Sequence, residues 1–175
     1  MSRAPAPDEA WIGLGSNLGD REAHLHAAAE RFGDAVVLMA PIVETEPWGI
    51  TEQPWFLNTV LRLRWTHGAR ALLALCLETE RALGRVRVEK NGPRTVDVDV
   101  LLCGPGLLDE PGLTVPHPGI ATRRSVLEPW AAVAPDLVVP GLIEPLSALR
   151  DAAAELPGQG VRAASSPRSS ASGTL

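Results

Sequence analysis

The alternation of apolar and polar residues along the chain predicts six main elements in the order strand, helix, strand, strand, helix, strand. In chain order they are a buried strand at Ala10 to Leu14, a helix that Asp20 caps and that reaches about Phe32, a β-branched strand within Ala35 to Glu46, an alternating strand at Phe56 to Trp65, an amphipathic helix at Ala69 to Leu83 and a strand at Thr95 to Cys103. This order matches the ferredoxin-like βαββαβ core. We therefore predict an α+β domain with an antiparallel sheet, on which two shorter helices near Thr122 to Val133 and Ser147 to Leu156 also pack.

Both ends of the chain lack this periodicity. Residues 1–9 are rich in Pro, Ala and charge, and residues 157–175 are mainly Gly, Ser, Ala, Pro and Arg. Such segments offer little apolar surface to bury, so we expect two disordered tails around a folded unit at residues 10–156.

Size and charge narrow the class of protein. The chain has 175 residues, of which 45% are hydrophobic, and this suits one domain with a buried core. A net charge of -5 argues against nonspecific nucleic-acid binding. The longest apolar run, Ala71 to Leu77, is too short to span a bilayer, and the first residues contain no signal-peptide stretch. We expect a cytoplasmic protein without nucleic-acid or membrane partners.

Two aspartates near the predicted last strand carry the clearest chemical signal. Asp97 and Asp99 alternate along that strand, so their carboxylates share one face. Magnesium takes oxygen ligands and is usually held by one or two carboxylates together with substrate phosphates. The alternative is a pair of solvated aspartates on an exposed sheet face, which is the commoner outcome for this pattern taken alone.

Several cations directly precede these aspartates. They are Arg85, Arg87, Lys90 and Arg94. Arginine binds phosphate oxygens in a bidentate manner, so the stretch predicts a local polyanion site in an acidic protein. The alternative is ordinary ion pairing with Glu89, Glu80 or the aspartates. Glu80 lies where the preceding helix ends, close enough to orient an arginine or contact a ribose.

Glycines at positions 13, 15 and 19 invite comparison with nucleotide-binding loops. Their spacing differs by one residue from the dinucleotide fingerprint, and the chain contains no Walker-type phosphate loop. We interpret them as serving a tight turn between strand and helix, in which Asn17 tolerates a left-handed conformation.

Taken together, the motifs resemble the 6-hydroxymethyl-7,8-dihydropterin pyrophosphokinase family of folate biosynthesis. The matching segments are Ile12-Gly-Leu-Gly-Ser-Asn-Leu-Gly-Asp20, Glu46-Pro-Trp-Gly49 with Gln53-Pro-Trp-Phe-Leu-Asn58, Glu80 with Gly84-Arg-Val-Arg87, Gly92-Pro-Arg-Thr-Val-Asp-Val-Asp99, and Leu113-Thr-Val-Pro-His117 with Arg123. They run in order through residues 11–140, which is nearly the whole folded part.

The resemblance implies transfer of the β,γ-pyrophosphoryl group of ATP to the pterin hydroxymethyl oxygen, with two Mg²⁺ ions and release of AMP. It implies that Asp97 and Asp99 bind metal and that Arg85 and Arg94 clamp the triphosphate. The expected nucleotide contacts also include Glu80, Arg87, Thr114, His117 and Arg123, and the expected pterin contacts are Thr45, Trp48, Phe56 and Asn58. A monomer is expected.

Three positions depart from the family pattern. Asn91 replaces a tryptophan before Gly-Pro-Arg, Gly112 replaces an arginine found in some members, and Ser125 replaces the second aromatic that sandwiches the pterin. We expect a loosely held pterin, because one stacking face is lost. Two other classes compete with the enzyme: a noncatalytic pterin or nucleotide binder, and an RNA-binding module on the same fold, which would need basic strands with exposed aromatics.

Overall fold

A computed structural model describes residues 1–84 and 92–164 of the chain. The strands in this part are β1 (Glu9–Ser16), β2 (Val36–Met39), β3 (Val43–Thr45), β4 (Phe56–Arg64), β5 (Asp97–Cys103), β6 (Leu108–Glu110), β7 (Leu113–Val115) and β8 (Val161–Ala163). The helices are α1 (Arg21–Glu30), α2 (Ala69–Ala82), α3 (Arg124–Val133) and α4 (Leu146–Ala154). Among the described residues, no helix has the length and apolar character needed to cross a membrane.

The main sheet has the strand order β5-β1-β4-β3-β8, and β2 also pairs with β4. Every pairing is antiparallel. The last strand of the βαββαβ unit, β5, thus lies beside the first strand, β1. The third strand of the unit, β4, lies between β1 and the pair β2 and β3. The ferredoxin-like core predicted from the element order is confirmed.

Helices cover both faces of this sheet. On one face, Ile12, Leu61 and Val98 belong to a buried cluster that also includes Leu25 of α1 and Leu72 of α2. On the other face, α3 and α4 pack over Trp11 and Leu101, and the rings of Trp11 and Trp130 lie 5.6 Å apart between centroids. The alternation along each strand divides its side chains between the two cores.

The β-branched run predicted as one strand forms two. It divides into β2 and β3 around Ala40 and Pro41, and the hydroxyl of Thr59 donates to the carbonyl of Ala40 at this break. Pro41 has no amide hydrogen to give to a ladder, so a continuous strand cannot pass through it.

The predicted N-terminal tail is wrong. Residues 3–8 lead directly into β1, and the backbone of Arg3 bonds to Asp136 and Val138. The Arg3 guanidinium also binds the buried carboxylate of Glu9 through two hydrogen bonds of 2.9 and 3.0 Å. Specific hydrogen bonds and ion pairs hold this segment, and not the burial of apolar side chains. Such contacts leave no periodic pattern in the sequence, so they could not be predicted from it.

The predicted C-terminal tail is wrong for residues 157–164. Here β8 adds to the sheet beside β3, with Glu44 opposite Arg162 and Thr45 opposite Val161. Arg162 donates to Oε1 of the Glu44 carboxylate. Arg21 of α1 donates to the other carboxylate oxygen, Oε2, at 2.9 Å. Burial raises the pKa of Glu44, but hydrogen bonds from the two arginines outweigh it, so the net pKa lies below the ordinary value. The prediction for residues 165–175 lies outside the described residues.

Candidate active site

A cavity opens on the α3 side of the sheet, between the strand ends and the start of α3. Eight of the residues predicted to bind metal, nucleotide or pterin line it: Thr45, Trp48, Phe56, Asn58, Arg94, Asp97, Asp99 and Arg123. Since these residues come from β3, β4, β5 and the loops around them, the fold gathers positions up to 78 residues apart in the sequence (45 to 123). This agreement supports a single functional site.

One row of directly opposed residues forms the floor of this cavity. Asp97 on β5 pairs with Gly15 on β1, and Gly15 pairs in turn with Asn58 on β4. Directly opposed residues place their side chains on the same face of a sheet. The row therefore puts a carboxylate and a carboxamide on one surface, separated by a residue without a side chain.

The glycines of β1 shape that floor. Gly13 and Gly15 lie within β1, and the prediction that they serve the turn is wrong; Gly19, with φ of 67°, makes the turn. A Cβ atom at Gly15 would lie 2.8 Å from Oδ1 of Asn58. Gly15 thus leaves the room that the Asn58 side chain occupies.

The part of the cavity around Phe56 can receive a flat polar ring. Asn58 donates through Nδ2 to the hydroxyl of Thr45 at 2.6 Å, which fixes the orientation of its amide. Phe56 lies beside Thr45 in the β3 and β4 ladder. An aromatic face and an oriented amide together suit a ligand with a π-system and a hydrogen-bonding edge.

Arg94 connects this end of the cavity to the aspartates. Its guanidinium carbon lies 5.1 Å from the Phe56 ring centroid, and Nη1 lies 3.2 Å from Oδ2 of Asp97. A guanidinium in this position can bind phosphate oxygens while keeping contact with both neighbours.

Asn17 is a functional candidate that the sequence reasoning missed. Its side chain is almost fully buried, accepts from the Arg94 amide at 2.9 Å and donates to Gln53 and to the carbonyl of Pro54. The available signal was a small polar residue between a strand and a helix, which is also typical of a turn former. Its hydrogen bonds instead hold Arg94 and the loop before β4 in one arrangement.

Glu80 does not line the cavity. Its carboxylate is buried and accepts from the amide of Val98 at 2.9 Å, between the two aspartates on β5. Glu80 therefore fixes the strand that carries Asp97 and Asp99. Whether it also contacts a nucleotide stays a prediction.

Thr114 and His117 lie beside a neighbouring hollow under the β6 and β7 hairpin. Thr114 donates to Asp109 at 3.2 Å, and Nδ1 of His117 accepts from the Gly119 amide at 3.1 Å. Burial and the charge of Arg123 lower the pKa of His117, although Asp97 acts in the opposite direction. The imidazole is therefore neutral near pH 7, with its proton on Nε2.

The predicted contacts Arg85 and Arg87, and the departure Asn91, lie outside the described residues. Arg123 is within them, and its guanidinium lies 5.6 Å from the ring centroid of Trp48, a side chain that is 60% exposed. Ser125 follows on the first turn of α3 and also lines the cavity.

The C-terminal segment contributes a wall that no sequence pattern predicted. Residues 158–161 line the cavity. Glu46 donates its amide to the Gly160 carbonyl at 3.0 Å and accepts the Gly160 amide through its carboxylate at 2.9 Å. The segment is thus fixed against the loop that carries Trp48.

The donors present suit a hard cation that shares its coordination with a substrate. Asp97 and Asp99 line the same cavity, and no group of three or more His, Cys, Asp or Glu side chains able to hold a metal occurs in the described ranges. Two carboxylates with remaining positions left to water and phosphate fit Mg²⁺ better than zinc, which prefers nitrogen and sulfur ligands.

Comparisons with known proteins agree with this geometry. The family model described as 7,8-dihydro-6-hydroxymethylpterin-pyrophosphokinase matches residues 11–135. The chain is 40% identical over 156 residues to the 2-amino-4-hydroxy-6-hydroxymethyldihydropteridine pyrophosphokinase of Methylorubrum extorquens, covering 87% of this chain and 96% of the relative. It is 43% identical over 150 residues to the Mycobacterium tuberculosis enzyme of the same name, covering 79% and 80%.

Solved structures show the same fold. An HPPK-DHPS structure with substrates aligns with a TM-score of 0.66 at 11% identity, over 85% of this chain and 43% of that one. A Plasmodium falciparum HPPK-DHPS triple mutant also gives 0.66, at 10% identity over 82% and 43%. This chain therefore spans less than half of those longer chains. The family match and these identities show that the chain belongs to the 7,8-dihydro-6-hydroxymethylpterin-pyrophosphokinase family.

Proposed function

We propose that this protein transfers the pyrophosphoryl group of ATP to 6-hydroxymethyl-7,8-dihydropterin, giving the pterin diphosphate and AMP in folate biosynthesis. The observation that carries the proposal is the floor of the cavity, where Asp97 and Asn58 flank a bare glycine. A phosphate-binding end and a ring-binding end thus share one surface, as a reaction between two bound substrates requires.

The pterin occupies the end formed by β3 and β4. Phe56 offers a ring for stacking, and Asn58 offers Oδ1 as an acceptor while its Nδ2 is used by Thr45. Trp48 lines the same end. The hydrogen-bonding edge of the pterin is read by the oriented amide, because a mismatched donor or acceptor in this enclosed site would be left unpaired.

The triphosphate occupies the end nearer the aspartates and arginines. Arg94 and Arg123 line the cavity there, and the resemblance assigns Arg85 to the clamp beside Arg94 and Arg87 to the nucleotide contacts. It also assigns Glu80, Thr114 and His117 to the nucleotide. Positive groups that meet the transferring phosphorus compensate the charge that develops on its oxygens.

Asp97 and Asp99 would hold Mg²⁺, with two ions expected. Bound there, the metal supplies charge neutralisation and orients the phosphates. The protein's own part is to position β5 through Glu80 and to keep Arg94 beside Asp97 through Asn17.

In the reaction, the hydroxymethyl oxygen forms a bond to the β-phosphorus of ATP. The bond from that phosphorus to the oxygen bridging the α-phosphate breaks, AMP leaves, and the hydroxyl proton passes to solvent. Such transfers depend mainly on alignment and electrostatics, so the residues described above suffice without a covalent intermediate. The cytoplasmic location and monomeric state stay predictions.

The nucleotide product tests this function. Purified protein with ATP, the hydroxymethyl dihydropterin and Mg²⁺ should yield AMP, separated by chromatography, and omission of the divalent cation should abolish it. ADP with inorganic phosphate would mean that attack occurs at another phosphorus. Pterin binding without any turnover would instead indicate the noncatalytic binder.

A further inference from the structure

The segment at residues 158–161 is fixed at three independent places. Its β8 continuation pairs with β3, the Gly160 backbone pairs with Glu46 in both directions, and Arg124 bonds to Gln159 twice. A segment held in this way can offer a rigid side chain to a neighbouring ligand at little entropic cost.

Gly160 shows how closely the segment lies against the rest of the site. A Cβ atom there would come within 3.2 Å of the Glu46 carboxyl carbon and 3.3 Å of the Trp55 ring. A side chain at position 160 would have to push Glu46 or Trp55 aside by a few tenths of an ångström, so glycine suits this close approach.

Gln159, in the C-terminal segment, contacts the first residue of α3, next to the position where the family's second aromatic is missing. Its Oε1 accepts the backbone amide of Arg124 at 2.7 Å, one residue before Ser125. Both Gln159 and Ser125 line the cavity. Because α3 packs on the sheet face that carries Phe56, the wall formed by Gln159 and Ser125 lies opposite the floor of the cavity.

Two tryptophans near the cavity are already engaged. Trp130 is fully buried against Trp11, and the Trp55 ring lies under the Arg162 guanidinium at 4.1 Å. Trp48 is the remaining ring that could cover the pterin face opposite Phe56. The Arg123 guanidinium already lies over the Trp48 ring.

We propose that Gln159 is a positioning residue for the pterin, whose planar amide covers the ring face that Ser125 leaves bare. The proposal rests on the function proposed above. With Oε1 bound to the Arg124 amide, the side chain is already ordered, so its planar face can lie against the pterin ring at little entropic cost. The C-terminal segment therefore completes the pterin site in this chain.

Calorimetry of pterin binding with a nonhydrolysable ATP analogue tests this role in the full chain. Gln159→Ala should raise the pterin Kd about tenfold, the loss expected when an ordered plane that covers one ring face is removed. The nucleotide Kd should stay within about twofold, and in turnover the pterin KM should rise while the ATP KM does not.

Arg162→Gln is the matched control, because Arg162 anchors the same segment through Glu44 without lining the cavity. It should lower the melting temperature more than it changes the pterin Kd. If both variants raised the pterin Kd equally, Gln159 would act only by holding the segment, and the proposal would be wrong.

Ser125→Phe completes the test as a double-mutant cycle. In the Gln159→Ala background the new ring should recover most of the lost pterin affinity, while in the native background it should add little, since the face is already covered. A pterin Kd unchanged by Gln159→Ala and raised by Trp48→Ala would assign the face to Trp48. If the native protein bound no pterin, both the proposed function and this role of Gln159 would be wrong. If it bound pterin with a Kd that Gln159→Ala did not change, only the role of Gln159 would be wrong.

Discussion

The side-chain oxygen of Asn17 accepts the backbone amide of Arg94 at 2.9 Å, across 77 positions of the chain. The reverse bond runs from the Asn17 backbone amide to the Arg94 carbonyl at 3.2 Å. The loop that carries Arg94, the proposed phosphate-binding arginine, is thereby fixed to the end of β1, and the Asn17 side chain also holds the loop before β4 through Pro54.

Asn17→Ala should therefore lower kcat strongly while the fold persists. Misplacing a reacting group by about 1 Å can cost on the order of 100-fold in rate, and the side-chain hydrogen bond that alanine removes holds the Arg94 backbone. Asn17→Asp keeps an acceptor for Arg94 but loses the donors to Gln53 and Pro54, so it should retain more activity. Steady-state kinetics with circular dichroism of both variants would measure this. Equal kcat in the alanine variant and the native protein would exclude a positioning role.

Asp97→Asn and Asp99→Asn should each reduce turnover by orders of magnitude with little change in melting temperature. The amides keep the shape but bind a hard cation poorly, and removing one of two neighbouring like charges offsets the weaker pairing of Arg94 with position 97. Asp151→Asn, an exposed change on α4, serves as the control. Near-normal turnover of both variants at saturating Mg²⁺ would contradict the metal assignment.

His117 should make the native state sensitive to mild acid. Burial and the charge of Arg123 lower its pKa below the ordinary 6.5, so the unfolded chain binds a proton that the folded chain does not. The free energy of unfolding should then fall as the pH decreases from 7 toward 5. His117→Gln keeps an acceptor for the Gly119 amide but does not titrate, and its denaturation midpoint should fall less over this range. If the stability of the native protein and of the variant fell equally with pH, the titration of His117 would not be the cause.

Glu9 should contribute stability that is lost at lower pH. Burial raises its pKa, but hydrogen bonds from Arg3, the Ala6 amide and Trp11 outweigh it and lower the pKa from 4.5 to about 2. The contribution is present above about pH 4.5 and disappears as the pH falls toward 2, and it amounts to roughly 3 kcal/mol. Glu9→Gln should lose most of it at pH 7, whereas Asp8→Asn, at an exposed neighbour, should not. Chemical denaturation at pH 7 and pH 3 provides the comparison.

The periodic elements were predictable because each has an apolar face that a core must cover. The amphipathic pattern of α2 and the alternation of β4 and β5 helped to define the element order from which the ferredoxin-like core was predicted, and the alternation of Asp97 and Asp99 predicted that both carboxylates share one face. The N-terminal residues and β8 escaped prediction because distant polar partners hold them. Arg3 meets Asp136, and Arg162 meets Glu44, and neither pair leaves a local pattern.

The glycines of β1 were misinterpreted for a different reason. A glycine in a turn and a glycine that clears space for a neighbouring strand look alike in one sequence, and Gly15 is the second kind because Asn58 stands beside it. The contact between Glu80 and the Val98 amide could not be predicted for a similar reason. It depends on how β5 packs against α2, and the sequence of the helix alone does not specify this.

The floor row of Asp97, Gly15 and Asn58 also dictates how the two substrates can meet. Neighbouring strands lie about 4.8 Å apart, so the aspartate and asparagine backbones are separated by roughly 10 Å, and the residue between them contributes no side chain. The Asn58 amide fills part of the space that this leaves, since a Cβ atom at position 15 would lie 2.8 Å from its Oδ1. In the proposed reaction, an alcohol bound beside Asn58 therefore meets the phosphate end without crossing a side chain of β1. Any larger residue at position 15 would displace the Asn58 amide, so the place of the acceptor on this floor depends on the Cβ atom that glycine does without.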